Sequence, residues 1–235
     1  MTQHAIVTEK QWIEARKTLL AREKAFTRER DSLSQARREL PWVKVEKRYI
    51  FEGQNGPETL ADLFGGRSQL IVYHFMFGPD WERPCKSCSF WADNFNGIGA
   101  HLGARDVSFV AVSRAPLEKL NATAKRLGWR FKWVSSAGSD FNFDFGVSFT
   151  PEAIAGGEIT YNFGKHKAYG DEMPGISVFF KDEDGTIYRT YSCYSRGLDM
   201  LNGAYNFLDL VPKGRDEDGL PFAMQWVRLH DEYDS

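Results

Sequence analysis

The spacing of apolar residues changes several times along the chain, and each change marks an element. From Thr8 to Glu39, Trp12, Ala15, Leu19, Leu20, Phe26 and Leu33 recur at helical spacing among many Arg and Glu. Thr8 with Gln11 offers a capping box and Pro41 a stop, so the pattern predicts one long helix with a solvated charged face. Trp42 to Glu52 alternates through Val43, Val45, Tyr49 and Phe51 as a strand or hairpin arm, and Gly53-Gln54-Asn55-Gly56 is a turn. Pro57 to Phe64 reads as a short helix. Gln69 to Phe77 is almost continuously apolar, the pattern of a strand buried on both faces.

Beyond that strand the pattern predicts a helix from about Lys86 to Leu102, a strand at Val107 to Val112, a helix from Pro116 to Leu127 and a strand at Phe131 to Val134. Ser135 to Thr160 reads as loop, and Tyr161 to Glu172 as a strand and a turn. Ile176 to Phe180 and Thr186 to Tyr191 flank Asp182-Glu183-Asp184-Gly185 and predict an antiparallel hairpin. A helix from about Gly197 to Leu210 follows, then an irregular tail. This order predicts an α/β fold: a central mixed sheet with helices on both faces, a long N-terminal helix and an insertion before the C-terminal hairpin. The expected organisation is a helical extension over 1–40 and one compact domain over 41–235.

Composition sets limits on function. The 235 residues are 42% hydrophobic and 26% charged, which is globular, and a net charge of −2 steers the chain toward neither nucleic acid nor an anionic membrane. No run of about 18 apolar residues offers a membrane span. The first ten residues lack a charged segment followed by an apolar one, so the cytoplasm is the expected compartment. There, three cysteines read as catalytic or metal-binding rather than as a disulfide scaffold.

Two of them form Cys85-Lys86-Ser87-Cys88, after a buried strand and at the start of a helix. A helix N-terminus presents unpaired N–H groups and the positive end of the macrodipole, which favour a thiolate. Arg83 and Lys86 add positive charge, and Pro84 fits a first turn. Cys88, one turn on, shares the helix face and can resolve a mixed disulfide at Cys85. Zinc needs four ligands or three with water, and His74, His101 and Cys193 would have to fold together to supply them. The expectation is therefore a redox-active disulfide, with no metal and no other cofactor.

Long motifs carry a resemblance to a bacterial thioredoxin-like family of unknown function, domain of unknown function 899. They are Met76-Phe77-Gly78-Pro79-Asp80-Trp81, Cys85-Lys86-Ser87-Cys88-Ser89-Phe90-Trp91-Ala92-Asp93, Val147-Ser148-Phe149-Thr150-Pro151-Glu152, Pro174-Gly175-Ile176-Ser177-Val178-Phe179-Phe180, Tyr194-Ser195-Arg196-Gly197-Leu198-Asp199 and Tyr205-Asn206-Phe207-Leu208-Asp209-Leu210. The resemblance implies a thioredoxin-like fold and a redox-type site, distantly similar to thioredoxins and peroxiredoxins. It supplies no reaction. Cys193 stands where that family usually has a hydroxyl residue, so it takes no catalytic role. The thioredoxin Trp before the first Cys and the Gly-Pro between the two are absent here. So is the peroxiredoxin Pro-x-x-x-Thr-x-x-Cys, since Gly78 stands in its Pro position.

Pro174 precedes a strong strand, where thioredoxin-like proteins carry a cis-proline opposite the dithiol; the alternative is an ordinary trans strand-start proline. Met173 or Gly175 could face the sulfurs instead. Trp81 and Trp91 are core or the rim of a substrate site. Asp80, Glu82 and Asp93 are proton acceptors for Cys88 or solvated surface, and His74 is a core histidine. Arg196 holds an anion or makes a helix-start salt bridge. The aromatic residues around 142–146 and 161–163 pack on the core, or form a lid or a dimer surface. Three readings follow: a thiol–disulfide oxidoreductase acting on a disulfide-containing protein or small thiol substrate, a partner-binding or metal-binding module that does no chemistry, and a thiol peroxidase. A homodimer is open in each.

Overall fold

The computed structural model describes residues 4–233. It divides into two units, one ending at Pro41 and the other starting at Trp42. The first is the helix α1, Glu9–Arg38, capped by Thr8 with Gln11 in the reciprocal capping box. No α1 residue is buried.

The second unit runs β1 (Val43–Lys44), β2 (Ile50–Gly53), β3 (Gly56–Thr59), α2 (Leu60–Leu63), β4 (Gln69–His74), α3 (Lys86–Ala92), α4 (Ile98–Gly103), β5 (Val107–Ser113), α5 (Leu117–Arg126) and β6 (Lys132–Ser135). It continues with α6 (Phe141–Asp144), α7 (Pro151–Ala155), β7 (Glu158–Tyr161), β8 (Gly164–Lys167), β9 (Gly175–Lys181), β10 (Ile187–Tyr194) and α8 (Gly203–Leu208). Eight strands form one sheet in the order β1-β10-β9-β4-β5-β6-β2-β3. The β4–β5 and β5–β6 pairs are parallel; β4–β9 and β9–β10 are antiparallel. A strand leading into the dithiol helix, two parallel neighbours on one side and an antiparallel hairpin on the other make this the expected thioredoxin-like fold.

The strand period of two splits the core between the faces of the sheet. On one face Tyr73, Ala111 and Trp133 pack with Trp91 and Ala92 of α3 and Leu120 of α5. On the other, Leu70, Val72, Val110, Val134 and Phe179 pack with Leu60, Leu63 and Phe141. A third cluster, Val147, Phe149, Ile159, Tyr161 and Tyr194, is built by the insertion. Most of its aromatics thus pack inward, with Phe163 and Tyr169 exposed at 81% and 79%.

The structure corrects several boundaries. Gly56–Thr59 is a strand, so the helix expected over 57–64 shrinks to α2. The helix expected over 86–102 breaks into α3 and α4. The side chains of Asp93, Asn94 and Asn96 there bond to Trp129, Gly203 and Arg130, and Gly97 takes a φ of 88°. The loop over 135–160 contains α6, α7 and most of β7. The last helix is a 3-10 turn over Ser195–Leu201 followed by α8, redirected at Asn202, whose side chain caps α8.

Candidate functional site

Cys85 is the N-cap of α3, and its sulfur accepts the N–H of Cys88 at 3.4 Å. The Cys85 N–H bonds the carbonyl of Met76, and the Met76 N–H donates to the Cys88 sulfur at 3.4 Å. Two exchanges with the loop after β4 thereby lock the start of α3 beneath it. Cys88 is 2% exposed while Cys85 is half-buried, so Cys85 is the more accessible residue of the pair. No disulfide joins them.

Their environments drive the two thiols apart. The hydrogen bond from Cys88 is the largest influence on Cys85; burial opposes it, and the N–H groups of Cys88 and Ser87 assist it, bringing the pKa down to about 7. Burial pushes Cys88 well above the ordinary thiol range, and the neighbouring Cys85 sulfur raises it further. A lowered pKa on one thiol beside a raised pKa on the other is the asymmetry that dithiol exchange uses.

The other expected residues divide. Pro174 lies beside the dithiol, and with Met173, Met76, Trp91 and Cys88 it lines a pocket of about 170 Å3. No cis peptide bond occurs among the described residues, so the bond to Pro174 is trans. Its carbonyl instead accepts the Tyr161 hydroxyl at 2.6 Å, and the same hydroxyl receives the Ser195 N–H at 2.9 Å. Trp81 packs on the core at Gly78, with its indole N–H 3.3 Å from Asp171. Arg83 is turned to Glu232. Lys86 bonds the Gln225 carbonyl at 2.7 Å, and burial lowers its pKa. Arg196 lines the pocket and reaches Asp199 at 3.4 Å. His74 is a core histidine bonded to Ser177. Among the described residues no group of three His, Cys, Asp or Glu is placed to hold a metal.

Three contributors were not evident beforehand. Tyr73, buried beside the sulfurs, hydrogen-bonds Cys88 and lines the pocket. Met224 closes the pocket from the C-terminal tail, held there by Glu217, whose one carboxylate oxygen accepts from Met224 N–H, Tyr205 O–H and Trp226 indole N–H at 2.7–2.9 Å. Glu172, directly before Met173 and Pro174, is 1% exposed and bonds Arg114 and Ser148. Burial raises its pKa to about 7 against the pull of Ser148 and Arg114. A buried Glu near a turn signals such a brace only once its Arg partner, just past the end of β5, is known.

The sequence profile of the family described as "Bacterial protein of unknown function (DUF899)" matches residues 1–233. The chain belongs to this family. No curated protein matches it. Among solved structures, the Mycobacterium tuberculosis peroxidoxin BcpB is similar at 18% identity with a TM-score of 0.44, covering 69% of this chain and 92% of its own. A mutant of PrxQ from Xylella fastidiosa is 14% identical, TM-score 0.41, over 68% and 89%. A Chlorobium tepidum protein assigned as a thiol:disulfide interchange protein, DsbE, is 13% identical, TM-score 0.40, over 69% and 95%. No helix among the described residues is long and apolar enough to cross a membrane.

Proposed function

We propose that this protein is a thiol–disulfide oxidoreductase of the cytoplasm, with Cys85 as nucleophile and Cys88 as resolving thiol. The observation that carries the reading is the asymmetry of the pair: Cys85, the N-cap of α3 and the more accessible of the two, has its pKa lowered by hydrogen bonds, while buried Cys88 has its pKa raised. The Cys85 thiolate attacks a substrate disulfide and expels one half as a thiolate. Cys88 then loses its proton, bonds Cys85 and expels the other half. The protein disulfide is the redox group, a dithiol reductant resets it, and the substrate is a disulfide-containing protein or small disulfide.

The test is reduction of an insulin-type protein disulfide by pre-reduced protein. Cys85→Ser abolishes it, whereas Cys88→Ser stops at a mixed disulfide trapped on Cys85, visible as a mass increase. Full activity of Cys85→Ser would sink the proposal.

A further inference from the structure

The pocket beside the dithiol carries information about what it receives. Its volume, about 170 Å3, is close to the roughly 150 Å3 of an apolar cavity that holds one benzene ring. The wall is mostly apolar: Met76, Met173 and Met224 bring three thioethers, and Tyr73, Trp91 and Tyr161 three rings. Thioethers make favourable contacts with aromatic groups and adapt to irregular shapes. A hydrophilic disulfide would lose hydration there and regain few hydrogen bonds.

Charge enters at two lining residues, Arg196 and Asp199. Asp199 Oδ2 is held by Arg215 at 3.0 Å, a shorter contact than the 3.4 Å to Arg196. Arg215 is also held by Asp209 through two contacts of 2.8 Å, so two carboxylates match two arginines; Arg196, 86% exposed and at the longer contact to Asp199, is the lining cation open to a further anion. A planar guanidinium is suited to a carboxylate.

We propose that this pocket binds one half of a small disulfide substrate: a compact aromatic thiol unit bearing a carboxylate, its ring among the methionines and its anion on Arg196. The assignment rests on the thiol–disulfide reading and adds the substrate class. The Cys85 sulfur bonds one substrate sulfur, the S–S bond breaks, and the departing half leaves as a thiolate. The retained half stays on Cys85 with its ring in the adjoining pocket, which Cys88 lines, until Cys88, giving its proton to solvent, bonds Cys85 and releases it. Two cysteines lose two electrons and the substrate disulfide gains them, so a single turnover of reduced protein needs no other reductant.

The experiment is a stopped-flow single turnover of the pre-reduced full chain with two aromatic disulfides. Dithiobis(nitrobenzoate) carries a carboxylate on each half, and dithiodipyridine is neutral. The quantity read is the ratio of the two Cys85-dependent rate constants, which cancels any change in thiol reactivity. Arg196→Gln lowers that ratio about fivefold, the size expected of one charge-assisted contact at a partly exposed site, and Arg196→Lys recovers part of it. An unchanged ratio, with both disulfides still consumed through Cys85, overturns the substrate assignment and leaves the oxidoreductase reading standing. Failure of the native protein to react with either through Cys85 overturns both.

Discussion

The lowered pKa of Cys85 has a named principal cause, and removing it is the sharpest test of the site. Cys88 makes the dominant hydrogen bond to the Cys85 sulfur, ahead of the backbone N–H groups of Cys88 and Ser87. Cys88→Ala deletes that donor and leaves both amides. The Cys85 midpoint then climbs from about 7 toward the ordinary thiol value near 8.5. At pH 7 the thiolate fraction falls from about one half to as little as roughly 3% if the whole lowering is lost. The rate change is smaller than that fifteenfold drop. A more basic thiolate is a better nucleophile with a Brønsted slope of about 0.4–0.5, which recovers roughly fivefold and leaves a net loss of about threefold. The midpoint is therefore the readout: iodoacetamide alkylation of reduced, metal-free protein from pH 5 to 10, with Cys193→Ser in the background of both proteins. A small cavity at Cys88 costs about 1 kcal/mol, which unfolding curves will register separately. A parent midpoint at or above about 8.5, or one that Cys88→Ala leaves in place, would refute the account of the site.

Two further outcomes concern the framework around the dithiol. Glu172 has its folded pKa raised from 4.5 to about 7, so between those values the folded protein retains a proton that the unfolded chain has released. Its contribution to stability is therefore present below about pH 4.5 and is lost as pH rises through 7, by up to about 3 kcal/mol. Urea unfolding at pH 5 and pH 8 should show a smaller decline for Glu172→Gln than for the native protein, and equal declines would contradict the buried-carboxyl account. Glu217→Ala removes the shared acceptor of Tyr205, Met224 and Trp226, so the protein loses about 1–3 kcal/mol and the C-terminal segment is cut faster in limited proteolysis. Unaltered cleavage in the tail would show that it is held by other contacts.

What could be read from the sequence was local. Thr8 with Gln11, the turn at 53–56 and the cysteine pair at a helix start all act within four residues of themselves, and each forms as expected. Arg83 and Lys86 were expected near the sulfurs on the same local logic, yet Arg83 is taken by Glu232 and Lys86 by the Gln225 carbonyl, partners about 140 to 150 positions away. Neighbourhood along the chain places a long cationic side chain near a site without saying which way it points. The same limit hid the pocket. Its wall joins Tyr73 of β4, Trp91 of α3, Met173 before β9, Arg196 after β10 and Met224 of the tail, so it exists only once the sheet order β10-β9-β4 brings those ends together. The tail itself carries no periodicity to read, because three donors meeting on one Glu217 oxygen order it in place of a repeating pattern. On the proposed reading, reactivity at Cys85 is set within one turn of α3, while the choice of what reaches it is distributed over five separate segments. It follows that substitutions in the tail at Met224 should alter selectivity among disulfides and leave the Cys85 midpoint in place.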